Sequence, residues 1–466
     1  MICSFLLIGQ RYLSYYIPLY LNPLTPLTPN PLTYNETLDY LFTRLPVYQR
    51  QGAAAMKKDL TNIRLLLAEL GNPERHPRIV HVAGTNGKGT VSHLLAAALQ
   101  AHGFRVGLYT SPHYKDFRER IKVNGDFISR QAVVDFVARH RELIERVEPS
   151  FFEITVAMAF HHFAGTQVEW IVVEVGLGGR LDSTNVVDPL VSVITNIGYD
   201  HMQFLGDTLE AIAGEKAGII KRDRPVVIGL TQAETEPVFR KRARELNAPI
   251  IFADQHYGLR AKHTREDSYA QLHLFAQEAI PPFEFPFPVS TNGPYVAENC
   301  RTAIATLLRL QQDGHLDLDG RAVARAWADL HGSVYYIGRW QVLRSAPLVI
   351  ADSAHNGEGL GPVIALLNEQ NAYRKGHQHF VIGVVNDKDL HHVLPLFPTN
   401  ASYYFVKADI LRGLPADELQ LVAEEHRLVG EVFPSVQKGY RAALAAARPE
   451  DIVFIGGSIF TVAEVL

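Results

Sequence analysis

Cysteine is nearly absent: Cys3 and Cys300 are the only two thiols in 466 residues. No CxxC pair occurs, which excludes a disulfide scaffold and a thiolate zinc site and fits a reducing cytoplasm. An excess of positive charge is missing too. Lys and Arg total 45 against 49 Asp and Glu, a net charge of −4, so nothing electrostatic favours nucleic acid or an anionic membrane as partner. No long uninterrupted apolar run is present. The apolar opening over residues 1–21 lacks a basic start and a small-residue cleavage site, and Arg11 and Pro18 interrupt it. The HExxH zinc pattern does not occur. What is there is an ordinary globular composition, 47% hydrophobic and 20% charged, in a chain long enough for two domains.

From Leu24 to Thr33 proline recurs too densely for helix or central strand. Residues 1–33 read as a loosely ordered extension, with a membrane-contacting segment as the alternative. From 57 to 70, Leu60, Ile63, Leu66, Leu67 and Leu70 keep helical spacing, and Gly71-Asn72-Pro73 stops the helix. Short Val- and Ile-rich runs then alternate with helical stretches: 78–82, 106–109, 170–175, 191–195 and 226–228. Continuous apolar runs are the mark of buried parallel strands. A second series follows at 348–351, 380–385, 403–406 and 452–455. Between the two series lies a helix-rich stretch, 297–330, and then the turn-rich segment 331–338, read as a linker. The fold class is α/β: a mostly parallel, doubly wound sheet with a phosphate loop over residues 34–332, and a Rossmann-like α/β domain over 333–466.

The first strand runs into Gly84-Thr85-Asn86-Gly87-Lys88-Gly89-Thr90, and a helix follows. Glycines let backbone N–H groups curl around phosphate oxygens, the helix start adds positive potential, and Lys88 adds a full charge. Thr90 offers a hydroxyl to phosphate or Mg²⁺. The spacing is not the standard Walker pattern. A plain glycine turn is the alternative, but strand, loop and helix in this order favour nucleotide binding.

Glu174 ends one apolar run and Asp200-His201 follows another, where open α/β sheets bind ligands. A carboxylate suits Mg²⁺, while a histidine ligand points to a second ion position that also tolerates Mn²⁺. His201 as a structural histidine stays open on this reading. Lys216 sits among apolar residues, on a helix for which Asp207 and Glu210 are the expected capping pair. It either snorkels to the surface or, desolvated, becomes open to covalent chemistry. The His161-His162 and His391-His392 pairs carry no ligand pattern and read as structural or surface. Asn386-Asp-Lys-Asp389 is not the base-reading pattern of a GTP switch.

Taken together, long segments resemble the folylpolyglutamate synthase/dihydrofolate synthase family of the Mur ligase superfamily. They are 81–90, Thr110-Ser-Pro-His113 with Glu119-Arg-Ile121, Phe151-Phe-Glu153, Glu174 through Asn185, Asp200-His201 and Glu215 through Ile219. Gly338-Arg339, Asp352 through Asn356, Asp387-Lys-Asp389 and Gly456-Gly-Ser458 add to them. Ile337 and Ser353 depart from the family's usual residues, and neither change removes a functional side chain. The resemblance implies ATP and Mg²⁺ as cofactors and a site between an ATPase domain and a ligase domain. By it, Gly84, Thr85, Asn86, Gly87, Lys88, Gly89 and Thr90 bind phosphates, and Ser111, Glu174 and His201 hold metal. Asn299, Arg339 and Asp352 contact nucleotide. Thr110, Ser150, Asp182 and Ser183 lie on the pterin side. Lys216 matches a lysine that is carbamylated, which reverses its charge near the metal; an ordinary lysine paired with Glu215 is the alternative.

The implied reaction adds L-glutamate to dihydropteroate or a tetrahydrofolate through an acyl phosphate, in a cytoplasmic monomer with no nucleic-acid or membrane partner. Lys88 and Lys216 are expected to be catalytic, with His355 and Ser458 assembling the amine side. Another Mur-type amide ligase and a non-catalytic nucleotide-binding module are the competing expectations.

Overall fold

The computed structural model describes residues 32–45, 59–263, 272–386 and 388–466. The expected extension over 1–33 therefore lies outside the described residues except at its end, where Thr33 caps the helix Tyr34–Arg44 through a reciprocal box with Glu36. Cys3 and Asp387 also lie outside them.

Two parallel-rich sheets carry the chain. The first has eight strands: β1 (Ile79–Ala83), β2 (Val106–Tyr109), β3 (Ile121–Val123), β4 (Asp126–Phe127), β5 (Trp170–Glu174), β6 (Val191–Ile194), β7 (Val226–Ile228) and β8 (Ile250–Phe252). Their spatial order is β4-β3-β2-β5-β1-β6-β7-β8, parallel from β2 to β8, with the β2–β3–β4 edge antiparallel. β1, β2, β5, β6 and β7 are buried at every position, which is why they read as unbroken apolar runs. Helices Lys88–Ala101, Val296–Gln312 and Gly320–Trp327 cover one face of this sheet, and Thr61–Glu69 with Phe151–Gly165 cover the other. The chain leaves β1 toward β2 and later returns to its other side at β6. That reversal of direction opens a crevice at the carboxyl ends of β1, β5 and β6.

The second sheet has six strands: β12 (Gln341–Ser345), β13 (Leu348–Ala351), β14 (Gln378–Ile382), β15 (Ser402–Phe405), β16 (Gly430–Val432) and β17 (Ile452–Gly456), with only the β12–β13 pair antiparallel. Three departures from expectation appear. A three-stranded antiparallel sheet, β9 (Leu259–His263), β10 (Leu272–Ala276) and β11 (Phe287–Val289), stands before the helix-rich stretch. The segment expected as a linker contains a short helix, Leu330–Val334. Thr208, not Asp207, caps the helix Leu209–Ala217, its hydroxyl accepting from Ala211 N at 3.2 Å. No described helix is long and apolar enough to cross a membrane.

Candidate active site

Gly84 and Gly87 adopt φ of +145° and +83°, and a Cβ at either would collide with Thr195 Oγ1 or Asn299 Oδ1 respectively. Glycine is therefore required where the loop turns from β1 into the helix Lys88–Ala101. Thr195 Oγ1 donates to Asn86 O at 2.5 Å, and Asn86 N donates to Asn196 Oδ1 at 2.9 Å, so the end of β6 holds the loop open. Lys88 Nζ folds back onto Gly84 O and Thr85 O, both at 3.0 Å. Burial lowers the pKa of its ammonium, against the opposing pull of Glu174 and Asp200.

Glu174 ends β5 beside this loop. Its Oε2 accepts from Ser111 N at 3.1 Å, and its Oε1 lies 3.5 Å from where a Cβ on Gly89 would be. Burial raises the carboxyl pKa, and Lys88 is the first of the groups opposing that shift. Thr90 and Ser111 line the same cleft. One carboxylate and two hydroxyls are a hard oxygen set that fits a Mg²⁺ ion sharing its shell with substrate phosphates and water. Among the described residues no three His, Cys, Asp or Glu side chains gather to hold an ion alone. His201 heads a short helix at a left-handed φ of 52°, its Nε2 3.9 Å from Asp200 Oδ1, and burial lowers its pKa to about 4, so the ring is neutral.

Lys216 is buried, and its Nζ donates to Gly84 O at 3.0 Å, directly under the phosphate loop. Burial, reinforced by the charge of Lys88, pushes its pKa down to about 7. The alternative partner, Glu215, is taken by Arg180 at 2.8 Å.

The second lobe reaches this crevice through the segment after β13. Asp200 accepts from Lys388 Nζ at 2.7 Å and meets His355 Nε2 at 3.1 Å. Burial works to raise the Asp200 pKa, but His355, His201 and Lys388 hold it well below the usual carboxylate range. Asn86 and Asn356 exchange amide hydrogen bonds at 3.1 and 3.2 Å, while Asn356 Oδ1 caps the helix Gly357–Arg374 through Gly359 N. Lys388 and Asn356 stand in the sequence only as parts of motifs, and Asp200 stands with His201 as a ligand position after a strand, not as a partner of the second lobe. Their partners lie across the chain, where no spacing rule finds them.

On the nucleotide side, Asn299 Nδ2 is a buried donor without a partner beside Gly87, as an adjoining ligand site requires. Arg339 donates to Ser353 Oγ, which Tyr114 OH also meets at 2.9 Å. Asp352 is fully enclosed: Tyr295 OH and Trp340 N reach Oδ2, each at 2.6 Å, and Ala354 N reaches Oδ1 at 2.8 Å. A ribose would contact it only after Tyr295 moved.

Several residues expected to bind substrate or assemble the amine are occupied locally. Ser150 forms a capping box with Glu153, Asp182 caps 183–186 and also holds Leu177 N, and Ser458 caps Ile459–Ala463. Ser183 is buried next to Asp182, whereas Thr110 lines the cleft.

Comparison with known proteins shows the family. Residues 82–307 match the Mur ligase middle domain, and 338–459 match the Mur ligase glutamate ligase domain. The Bacillus subtilis dihydrofolate synthase/folylpolyglutamate synthase is 32% identical over 93% of this chain and 98% of its own length. A probable bifunctional folylpolyglutamate synthase/dihydropteroate synthase of Haloferax volcanii is 34% identical over 93% of the chain, which spans 50% of that longer protein. The Escherichia coli FolC structure in complex with DHPP and ADP is 29% identical, with a TM-score of 0.77 over 95% of this chain and 98% of that one. A bifunctional folylpolyglutamate synthase/dihydrofolate synthase with Mn, AMPPNP and L-glutamate bound is 29% identical, with a TM-score of 0.75 over 95% and 98%. With the phosphate loop, the acidic strand end and the second lobe meeting at one crevice, this chain belongs to the folylpolyglutamate synthase/dihydrofolate synthase family of Mur ligases.

Proposed function

We propose that this protein is an ATP-dependent ligase that joins L-glutamate to the carboxylate of a dihydropteroate or folate acid through an acyl phosphate. The ATPase lobe is assigned to residues 34–332 and the ligase lobe to 333–466. The carrying observation is the meeting at one crevice of Lys88, Glu174 and Lys216 from the first lobe with His355 and Lys388 from the second. The bound ADP, AMPPNP, Mn, DHPP and L-glutamate of the related structures support the same reading.

A carboxylate is a poor electrophile, and phosphorylating it turns an oxide leaving group into phosphate. The phosphate-loop N–H groups and Lys88 hold and neutralise the phosphoryl group as it transfers. Glu174, Ser111 and Thr90 would hold Mg²⁺, with His201 at a second position; bound there, the ion adds charge neutralisation and aligns the phosphates. Lys216, with a pKa pushed to about 7, holds a substantial neutral fraction near physiological pH. That amine adds to CO₂, forming an N–C bond and releasing a proton, and the anionic carbamate then faces the cations of the loop. The neutral amine of glutamate attacks the acyl phosphate from the side of His355. A closed cleft keeps water from the intermediate. A cytoplasmic monomer acting without nucleic acid or membrane belongs to the same proposal, and the net charge of −4 gives no electrostatic pull toward either polyanion.

The test is phosphate release by the purified protein with ATP and Mg²⁺. Release that requires both glutamate and a pterin acid is expected. ATP hydrolysis indifferent to both would refute the reading.

A further inference from the structure

One buried lysine has no part in the mechanism above. Lys122, on β3, is 2% exposed, and its Nζ makes its hydrogen bond to His93 Nε2 at 2.8 Å. Burial pushes its pKa down to about 7. His93 belongs to the helix that begins at Lys88, and its Nδ1 lies 2.6 Å from Gly89 O. These contacts fix the tautomer. A carbonyl oxygen only accepts, so Nδ1 carries the hydrogen, and Nε2 of the neutral ring must accept from Lys122. Burial and the Lys122 charge hold the His93 pKa well below its ordinary value, in accord with a neutral ring.

This chain of two bonds joins the parts that must keep register around a metal–nucleotide complex. β3 pairs with β2, with Leu108 opposite Lys122, and β2 runs directly into Thr110 and Ser111. At the other end, Gly89 lies between Lys88 and Thr90, with Glu174 Oε1 3.5 Å from its absent Cβ. A displacement of the Gly89 carbonyl therefore moves the loop against Glu174, and a displacement of β3 moves Ser111. The lysine also acts on the acid: with Lys88 and Arg339, its charge opposes the burial that raises the Glu174 pKa. An apolar side chain would fill the same space without the cost of burying an ammonium, so packing alone does not account for lysine here.

We propose that Lys122 and His93 are positioning residues that set the spacing between the phosphate loop and Ser111 and Glu174, and so fix the affinity for the Mg²⁺–nucleotide complex. The proposal rests on the nucleotide-site reading given above. The experiment is calorimetric titration of Mg²⁺–ADP into the parent enzyme, Lys122→Met, Lys122→Arg and His93→Leu, together with the Mg²⁺ dependence of the steady-state rate. Lys122→Met and His93→Leu are expected to weaken Mg²⁺–ADP binding at least tenfold and to raise the half-saturating Mg²⁺ concentration in parallel. The KM for glutamate should stay within twofold, and Lys122→Arg, which keeps a donor to Nε2, should recover most of the affinity. A role in stability alone would lower the melting temperature and leave both binding measures at parental values; that result overturns the proposal. If Lys122→Met does not fold, His93→Leu decides by the same measures. A parent enzyme that does not bind Mg²⁺–ADP would instead sink the nucleotide-site reading itself.

Discussion

Lys88 and Lys216 donate to one and the same carbonyl oxygen, that of Gly84, each from 3.0 Å. Two ammonium groups on one acceptor repel each other, and the charge of Lys88 is among the causes that lower the Lys216 pKa. On the proposed mechanism, carbamylation would relieve this by reversing the charge of Lys216.

Replacing Lys88 by alanine should abolish ligation and leave the fold intact, because its bonds are only to its own loop. Losing a charge contact in the transition state costs about 3 kcal/mol or more, roughly a hundredfold in rate. Circular dichroism and steady-state phosphate release measure the two halves of the claim. Activity within a few-fold of the parent would remove Lys88 from the chemistry.

Lys216→Ala should be nearly inactive, and acetate or formate in excess should restore part of the rate. Only the neutral amine reacts with CO₂, so reactivation of decarbamylated parent enzyme at a fixed concentration of dissolved CO₂ should speed up as pH rises through about 7. Carbon-13 NMR of enzyme labelled with ¹³CO₂ should show one carbamate signal, lost in the variant. No signal in active enzyme would end the carbamate assignment.

The Asp200–Lys388 pair, with both side chains 12% exposed, joins the lobes. Lys388→Met leaves Asp200 buried with one cation fewer, a loss of about 3 kcal/mol by the usual cost of breaking a buried pair. The variant should be less compact in small-angle scattering with ATP analogue and pterin bound, and kcat should fall more than the ATP affinity. Identical scattering profiles and an unchanged kcat would show that closure does not depend on this pair.

His81 in β1 has 0% exposure, and burial pushes its pKa down from 6.5 to about 3. Below pH 6.5 the unfolded chain binds a proton that the native state refuses, so stability present above that pH is lost as acid is added. From pH 6.5 to 5 this residue alone should cost about 2 kcal/mol. Urea midpoints across that range measure it, and His81→Gln should flatten the slope. An unchanged slope in the variant would place the pH sensitivity elsewhere.

The sequence was legible where burial is complete on both faces. Val106–Tyr109, Val226–Ile228 and Leu348–Ala351 fall on the expected strands because nothing polar interrupts them. β9 was missed because Arg260 and Lys262 alternate with apolar residues on a half-exposed sheet, and β16 because it is three residues long at an edge. The phosphate loop and Glu174 were readable as local patterns. The pairing of Asp200 with Lys388 was not, since 188 residues separate them. The capping role of Ser150 is legible in Ser150-x-x-Glu153, a local box that needs no partner from elsewhere in the chain. Glu215 precedes Lys216 on a helix, where adjacent side chains point in different directions, so the nearest acid in sequence is not the partner in space.

The amide pair between Asn86 and Asn356 ends one long rod. The helix Gly357–Arg374 has 18 residues, about 27 Å at the ordinary rise, and begins where the phosphate loop is touched. Its far end is tied to the lobe behind it, with Arg374 donating to the carbonyls of Glu450 and Pro449 at 3.0 and 2.9 Å. The helix is therefore held at both ends and couples the phosphate loop to the second sheet as one rigid strut, with Tyr373 next to the anchored end. That side chain is 83% exposed. A fluorophore placed there would follow the second lobe as a rigid body from outside the active site.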